Sequence, residues 1–341
     1  MQTGSQKKTE LHELAASLRE LGEFYYWPNE GNLGDLLIAE ATRQFFEREK
    51  LNWKPFCPMN PPQEASYNLV YGGGGRFTSH WGSLTRHRKH LTAPQVKQCI
   101  ILPHSFYQVD DFLRSFDNRH TIICRGQHTY DYVTATVSPQ VQVALADDMA
   151  LSLNLATMAT CGTSIAGYEA EEKQLSTLLN SHVGRIMQRK VRLSTVRSTL
   201  NSKCCKIAFL LRTDAEKSHP LTSPMAYDIS LVWSSSCAGN SHTPRLIKLF
   251  ADALHHPDVV VTDRLHVGIL SLLCGKTVYL LDNDYGKLGE VHRLSLQKRY
   301  PTAQLITGQH LPPDIEKAFD KLNNSIFTRL YLALRKLRKR V

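Results

Sequence analysis

Short apolar runs alternate with amphipathic stretches along most of this chain. From Glu10 to Leu21 apolar residues recur at helical spacing, which predicts a helix, and Phe24-Tyr-Tyr-Trp27 then reads as a first strand closed by Pro28. A glycine loop, Asn29-Glu-Gly-Asn-Leu-Gly-Asp35, leads into a helix with an apolar stripe from Leu36 to Glu49. Further strand-like runs follow at Tyr67–Tyr71, Gln98–Leu102, His120–Cys124 and Val141–Ala146, and each empties into glycine or polar residues. After a looser stretch the rhythm resumes with Lys206–Leu211, Val259–Thr262 and Val278–Asp282. This alternation predicts an α/β protein whose parallel sheets carry helices on both faces.

At 341 residues the chain exceeds one ordinary core and fits two domains. The pattern places a first Rossmann-like domain over 1–181, a basic linker or helix over 182–203, a second Rossmann-like domain over 204–310 and a terminal segment over 311–341. That last segment ends in a basic amphipathic helix. Its apolar side carries Phe327, Leu330, Tyr331, Leu334, Leu337 and Val341, and Arg335, Lys336, Arg338, Lys339 and Arg340 lie elsewhere. Such a helix docks its stripe on the protein body or rests on anionic lipid.

Composition narrows the class. Apolar residues make up 42% and charged residues 21%, the balance of a soluble globular protein. No run reaches the roughly 18 apolar residues of a membrane span, and the polar start lacks the apolar core of a signal peptide. The expected location is the cytoplasm, with peripheral contact at the inner face of the membrane if the terminal helix rests on lipid. The 8 cysteines form no CxxC pair and are expected to be reduced. No HExxH occurs, and His80, His87 and His90 fall in a basic, loop-like stretch, so no metal is expected. The net charge of +10 calls for an acidic partner: nucleic acid, an anionic membrane or a phosphorylated substrate.

The charges recur at one topological place, just after a buried strand. Arg125, Arg212 and Arg264 each follow a strand directly, and Lys287 follows one after a short turn. In open α/β sheets ligands bind beyond the carboxyl ends of strands. Guanidinium groups gathered there would clamp phosphate or carboxylate oxygens bidentately. Arg125 alone reads better as a surface ion pair or a helix-capping contact than as part of a clamp; four such residues favour the clamp. His266, beside Arg264, suits a general acid or base, with a satisfied core histidine as the plainer reading. Asp263 would orient His266 or pair with Arg264. Asn32 and Asp35 open a helix whose amides face an anion or a sugar hydroxyl. Gly73 and Gly74, within the run from Gly72 to Gly75, allow a ligand or backbone to approach closely. The glycines match no Walker or dinucleotide fingerprint, so neither ATP nor NAD is expected.

As an ordered set these motifs resemble the polysaccharide pyruvyl transferase family. The matching pieces are Gly31-Asn-Leu-Gly-Asp35, the glycine run at Gly72, Leu102-Pro-His-Ser105 and Arg125 with a helix behind it. Ala146-Asp-Asp148, Phe209-Leu-Leu-Arg212, Thr262-Asp-Arg-Leu-His266 and Tyr285-Gly-Lys287 complete the set. The resemblance implies a two-domain fold similar to GT-B glycosyltransferases, with the acceptor on the first domain and the donor on the second. It implies phosphoenolpyruvate as donor, a sugar of a surface polysaccharide or its lipid-linked precursor as acceptor, a pyruvate ketal as product, and no cofactor. By motif, Arg125, Arg212, Arg264 and Lys287 would hold the donor, His266 would act as acid and base, and Asp35 would bind or activate the acceptor. Asn32, Gly73, Gly74, His104 and Asp263 are candidates for acceptor or loop contacts. One departure is Gly126, which stands where an acidic residue often follows the arginine.

Two rival readings differ in what they require. A GT-B glycosyltransferase using a nucleotide sugar would need a glutamate on the ribose, and Glu290 is the residue available. A non-catalytic basic module for nucleic acid or membrane would cluster basic and aromatic residues on one face, whereas here the arginines are dispersed to separate strand ends; no nucleic-acid partner is expected. The stretch 219–241, rich in Ser, Pro and His, reads as a long loop, acceptor-specific or merely exposed.

Overall fold

The computed structural model describes residues 8–159, 206–213, 217, 221, 228, 230, 234–235, 243–255, 257–282, 286–308 and 310–324. The basic linker expected over 182–203 and the basic helix over 327–341 lie outside these residues, as does most of 219–241. The chain divides into two compact units. The first comprises 1–154, 235–243 and 285–301, and the second 155–234, 244–284 and 302–341. The units differ from the expected domains at three places: 155–181 falls in the second unit, and 235–243 and 285–301 fall in the first.

In the first unit the strands are β1 (Phe24–Trp27), β2 (Trp53–Pro55), β3 (Tyr67–Tyr71), β4 (Val96–His104), β5 (His120–Cys124) and β6 (Gln142–Leu145). They form one six-stranded sheet in the order β2-β1-β3-β4-β5-β6, and every pairing is parallel. Helices α1 (Leu11–Leu21), α2 (Leu33–Arg48), α3 (Thr85–Leu91), α4 (Asp110–Leu113) and α5 (Gln127–Thr136) connect them. Side chains alternate across the pleat, so each strand serves two cores. Leu69, Tyr71, Cys99, Ile101, Ile122 and Cys124 pack on one face with Leu91, Phe112, Leu113 and Val133. Phe24 and Tyr26 point the other way, where Phe46 of α2 meets them edge-on at 5.2 and 5.1 Å.

His87 and His90 lie on α3, not in a loop. The ring of His87 stacks on Trp27 at 5.2 Å and burial pushes its pKa down to about 4, so it belongs to the aromatic core as a neutral ring.

The second unit opens with α6 (Leu155–Ala159) and holds β7 (Ile207–Leu210), β8 (Val259–Thr262), β9 (Thr277–Leu281) and β10 (Ala303–Ile306). These pair in parallel in the order β10-β9-β8-β7. Helix α7 (Thr243–Ala253) precedes β8, and α8 (Leu265–Leu273), buried along nearly its whole length, crosses from β8 to β9. Helix α9 (Lys287–Val291) belongs to the first unit. Helix α10 (Pro313–Asn323) lays Ile315 and Phe319 on Phe209, Val261 and Leu281. No helix among the described residues is long and apolar enough to cross a membrane.

Candidate active site

In the first sheet the chain leaves β1 to one side for β2 and returns to the other for β3. Such a reversal opens a crevice beyond the strand ends, where doubly wound sheets bind ligands. The loops flanking it are those after β1 and β3, which carry Asn29 to Asp35 and Gly72 to Gly75.

Helix α2 begins inside the glycine loop, three residues before the expected start at Leu36. Asn32 caps it: its side-chain oxygen accepts from Gly34 N at 2.8 Å, while the Asp35 carboxylate accepts from Asn32 N at 3.0 Å. Asp35 Oδ1 also accepts from Asn29 Nδ2 at 2.7 Å, and Asn29 Oδ1 accepts from the Tyr71 hydroxyl at 2.8 Å. A half-buried carboxylate is thus fixed on the first helical turn, where the helix dipole favours its charge. Gly74, at φ +144°, faces this network so closely that a Cβ would stand 2.7 Å from Asn29 Nδ2.

The glycine run is held by His104. Between Ile101 and His104 the register of β4 against β5 shifts by one residue, a bulge at Pro103, which has no N–H to give the ladder. The bulge turns the His104 ring onto the face occupied by Phe77, with ring centroids 4.3 Å apart. Its Nε2 accepts from Arg76 N at 3.1 Å and Phe77 N at 3.3 Å, so Nδ1 carries the hydrogen and donates to Gly72 O at 3.2 Å. Burial, with the charges of Arg125 and Lys287 adding to it, holds the His104 pKa well below the usual histidine range. His104 thus contacts the backbone of the glycine loop on both ring nitrogens.

Arg125 follows β5 and is 0% exposed. Its Nη1 donates to Asp148 Oδ2 at 2.6 Å and its Nε to Ser105 Oγ at 2.8 Å; Asp148 Oδ1 in turn accepts from Ala150 N at 2.9 Å. Lys287, the buried first residue of α9, reaches the same place from far along the chain. A Cβ on Gly75 would lie 2.8 Å from Lys287 Nζ and 3.2 Å from Arg125 Nη2, so both cations converge on this glycine. Two positive charges beside backbone that bears no side chain form a natural seat for an anion.

Glu290 explains why 285–301 joins the first unit. Its carboxylate reaches the start of α5, accepting from Thr129 N at 3.2 Å and Thr129 Oγ1 at 3.0 Å. Burial pushes its pKa up, opposed by those bonds and the charge of His128. A Cβ on Gly126 would fall 2.1 Å from Glu290 Oε2, so the Glu290 carboxylate occupies the space that a side chain at 126 would take. Capping α5 with both oxygens, Glu290 is not poised to grip a ribose.

In the second unit Arg212, Asp263, Arg264 and His266 gather at the ends of β7 and β8. Asp263 Oδ1 accepts from Arg212 N at 2.7 Å, and its buried Oδ2 has no hydrogen-bond partner among the described residues. Burial raises the Asp263 pKa, while the bond from Arg212 N and the charges of Arg212 and Arg264 hold it back. Arg264 donates through Nε and Nη2 to Asp228 at 3.0 and 2.5 Å, a bidentate pair that occupies one edge of its guanidinium. Asp228 also accepts from Thr213 N at 2.8 Å. His266 is half-buried on the first turn of α8. No pattern in the sequence marks a role for Ser105, Asp148 or Asp228. Ser105 and Asp148 close the motifs Leu102-Pro-His-Ser105 and Ala146-Asp-Asp148, whereas Asp228 lies in 219–241, which carries no recognisable pattern.

The family model of polysaccharide pyruvyl transferases matches residues 32–285. That span covers most of the chain and includes the glycine run, Arg125, Arg212 and His266, so the chain belongs to the polysaccharide pyruvyl transferase family and is a transferase of pyruvyl groups. A curated relative in Bacillus subtilis (strain 168), named "Putative pyruvyl transferase EpsO", is 25% identical over 303 residues, 82% of this chain and 87% of the relative. Among solved structures, a functionally uncharacterized protein of Klebsiella pneumoniae subsp. pneumoniae NTUH-K2044 matches with a TM-score of 0.63 and 26% identity. That match covers 86% of this chain and 96% of the other.

Proposed function

We propose that this protein transfers the pyruvyl group of phosphoenolpyruvate onto two hydroxyls of one sugar in a polysaccharide or its lipid-linked precursor, forming a ketal. The observation that carries the reading is the convergence of Arg125 and Lys287 on Gly75 at the switch point of the first sheet. A small, multiply charged anion is the ligand such a seat favours. The reading includes the GT-B-like pairing of Rossmann-like units that the resemblance implies, with no cofactor and no nucleic-acid partner. It places the work in the cytoplasm, at the membrane's inner face.

In this reading Arg125 and Lys287 bind donor oxygens and balance the departing phosphate, and Arg212 and Arg264 keep the donor-binding role that the resemblance implies for them. The donor methylene carbon takes a proton, and the adjacent carbon gains oxocarbenium character. One sugar hydroxyl attacks that carbon and the bond to phosphate breaks. The second hydroxyl then closes the ketal. Of the two protons released by the hydroxyls, one balances that taken by the methylene and the other leaves with phosphate. His266 is the proposed proton carrier, and Asp35 orients or deprotonates an acceptor hydroxyl.

The test measures phosphate release from phosphoenolpyruvate with galactosides, glucosides and N-acetylmannosaminides, comparing wild type with His266→Ala and Lys287→Ala. Acceptor-dependent release with a pyruvyl mass on the sugar is expected, lost by about 100-fold or more without His266. Release with no acceptor gain, or a thermal shift from a nucleotide sugar but none from phosphoenolpyruvate, refutes the reading.

A further inference from the structure

Trp81 is 39% exposed, and with Met59 it is one of two exposed large apolar side chains among the described residues. Leaving that ring in water forgoes a stabilisation that folding normally collects. An indole on a mobile loop would fold back onto the surface, but this loop is fastened at many points. Arg76 donates from Nη1 to Trp81 O and from Nη2 to Ser83 O at 3.3 Å. Ser79 N donates to Tyr107 O at 3.0 Å, Tyr107 N donates to Phe77 O at 3.1 Å, and Ser79 Oγ donates to Gln108 Oε1 at 3.1 Å. Trp81 N donates to Thr78 O at 3.2 Å, and Gly82, at φ +73°, turns the chain back toward α3. The indole is therefore displayed on a rigid frame.

The frame stands next to the anion seat. Arg76, which grips the Trp81 carbonyl, directly follows Gly75, where Lys287 and Arg125 converge. One Arg side chain, roughly 7 Å long, thus separates the backbone of the seat from that of the indole, a distance comparable to one or two sugar rings. The surroundings suit a hydroxylated ligand. His80 stacks on Tyr107 at 5.7 Å, extending the aromatic surface, and the exposed pair Arg86 and Glu30, 3.4 Å apart, offers donors and acceptors beside the loop that leads to Asp35.

We propose that Trp81 is the stacking platform of an acceptor subsite, holding the apolar face of a pyranose ring next to the sugar that reacts. The inference rests on the pyruvyl-transfer reading, since a polysaccharide acceptor continues past its reacting unit and needs ground on which to lie. A planar aromatic flanked by hydrogen-bonding groups matches a pyranose, with one C–H face and a hydroxyl rim. Preorganisation of the loop removes an ordering cost that would otherwise weaken binding.

The experiment compares full-length wild type, Trp81→Ala and Trp81→Phe with acceptors of one, three and five sugar units. Initial rates of phosphate release are read together with direct binding of the same saccharides by saturation-transfer NMR in the absence of donor. Trp81→Ala is expected to raise KM for the longer acceptors about tenfold and to leave KM for phosphoenolpyruvate and for the single sugar unchanged. Trp81→Phe should keep most of the affinity. Equal KM and equal saccharide binding in wild type and Trp81→Ala overturn the inference, as does failure of wild type to bind any of the longer saccharides at millimolar concentration. If wild type binds them and Trp81→Ala does not, yet no phosphate is released, the subsite stands and the pyruvyl-transfer reading falls.

Discussion

Removing the Glu290 carboxylate tests how the anion seat is assembled. Glu290→Ala deprives Thr129 of a partner for both N–H and hydroxyl, and the helix start that Glu290 caps is buried. Each hydrogen bond to a buried charged acceptor contributes about 1.5–3 kcal/mol. Release from burial of a carboxyl whose pKa is already raised offsets part of that, which leaves a net loss of about 2–3 kcal/mol at neutral pH. The sign follows from the raised pKa: the contribution of Glu290 is greatest below the ordinary carboxyl range and falls as pH rises through the folded-state pKa. Glu290→Gln keeps an acceptor for Thr129 N without the buried charge, so at neutral pH it should lie within about 1 kcal/mol of wild type.

Gly126→Ala completes a double-mutant cycle. Its Cβ would stand 2.1 Å from Glu290 Oε2, at an extended φ of −165° that alanine adopts without strain. Glu290→Ala removes this contact but keeps the residue 290 Cβ, 2.7 Å from the added one, so Gly126→Ala should cost more in wild type than in Glu290→Ala, with a coupling of about 1 kcal/mol. Urea unfolding of the four proteins at neutral pH supplies the values. A coupling near zero, or a Glu290→Gln variant as unstable as Glu290→Ala, refutes the account of how 285–301 docks.

Two further expectations concern the same seat. Asp148→Ala strands the buried Arg125 charge, 2.6 Å from its partner, and should cost about 3–5 kcal/mol in denaturant unfolding; Asp148→Asn should cost clearly less, and a loss below about 1 kcal/mol for Asp148→Ala removes the ion pair from the argument. His104, neutral with its pKa depressed, gives stability that is complete above about pH 6.5 and is lost as pH falls toward its folded-state pKa. His104→Gln should flatten the pH dependence of unfolding below about pH 6.5 by up to 1.4 kcal/mol per pH unit, and an unchanged slope would show that His104 is not the group taking up the proton.

The fold was readable because its signals are local. The strands at Phe24, Tyr67, His120, Val259 and Val278 are apolar runs bounded by glycine or charge, and parallel sheets follow from their alternation with helices. Strand-end cations were readable for the same reason. What stayed hidden depends on contacts between distant residues. Glu290 caps a helix that begins 163 residues earlier, at Gln127, and no periodicity marks such a partner. Asp228 grips Arg264 from a stretch with no regular pattern. The early start of α2 was missed because Gly31 and Gly34 read as loop, while Asn32 and Asp35 form a reciprocal cap that overrides glycine's low helix propensity.

The charges of the first unit also constrain which groups can move protons. Arg125 and Lys287 already place two positive charges beside Gly75, so a third on His104 would add repulsion to the cost of burial, and the ring stays neutral. Its Nε2 lone pair is committed to Arg76 N and Phe77 N, and its Nδ1–H to Gly72 O. A proton gained or lost there would break the contacts that shape the glycine run. A histidine at the heart of the anion seat is thereby removed from acid–base chemistry by the hydrogen bonds that make it useful structurally. In the proposed mechanism proton transfer is therefore given to half-buried groups, Asp35 on the first turn of α2 and His266 on the first turn of α8. Of the two, an imidazole has one ring nitrogen that accepts a proton and another that gives one, which is why the rate of His266→Ala, more than that of His104→Gln, tests the proposed mechanism.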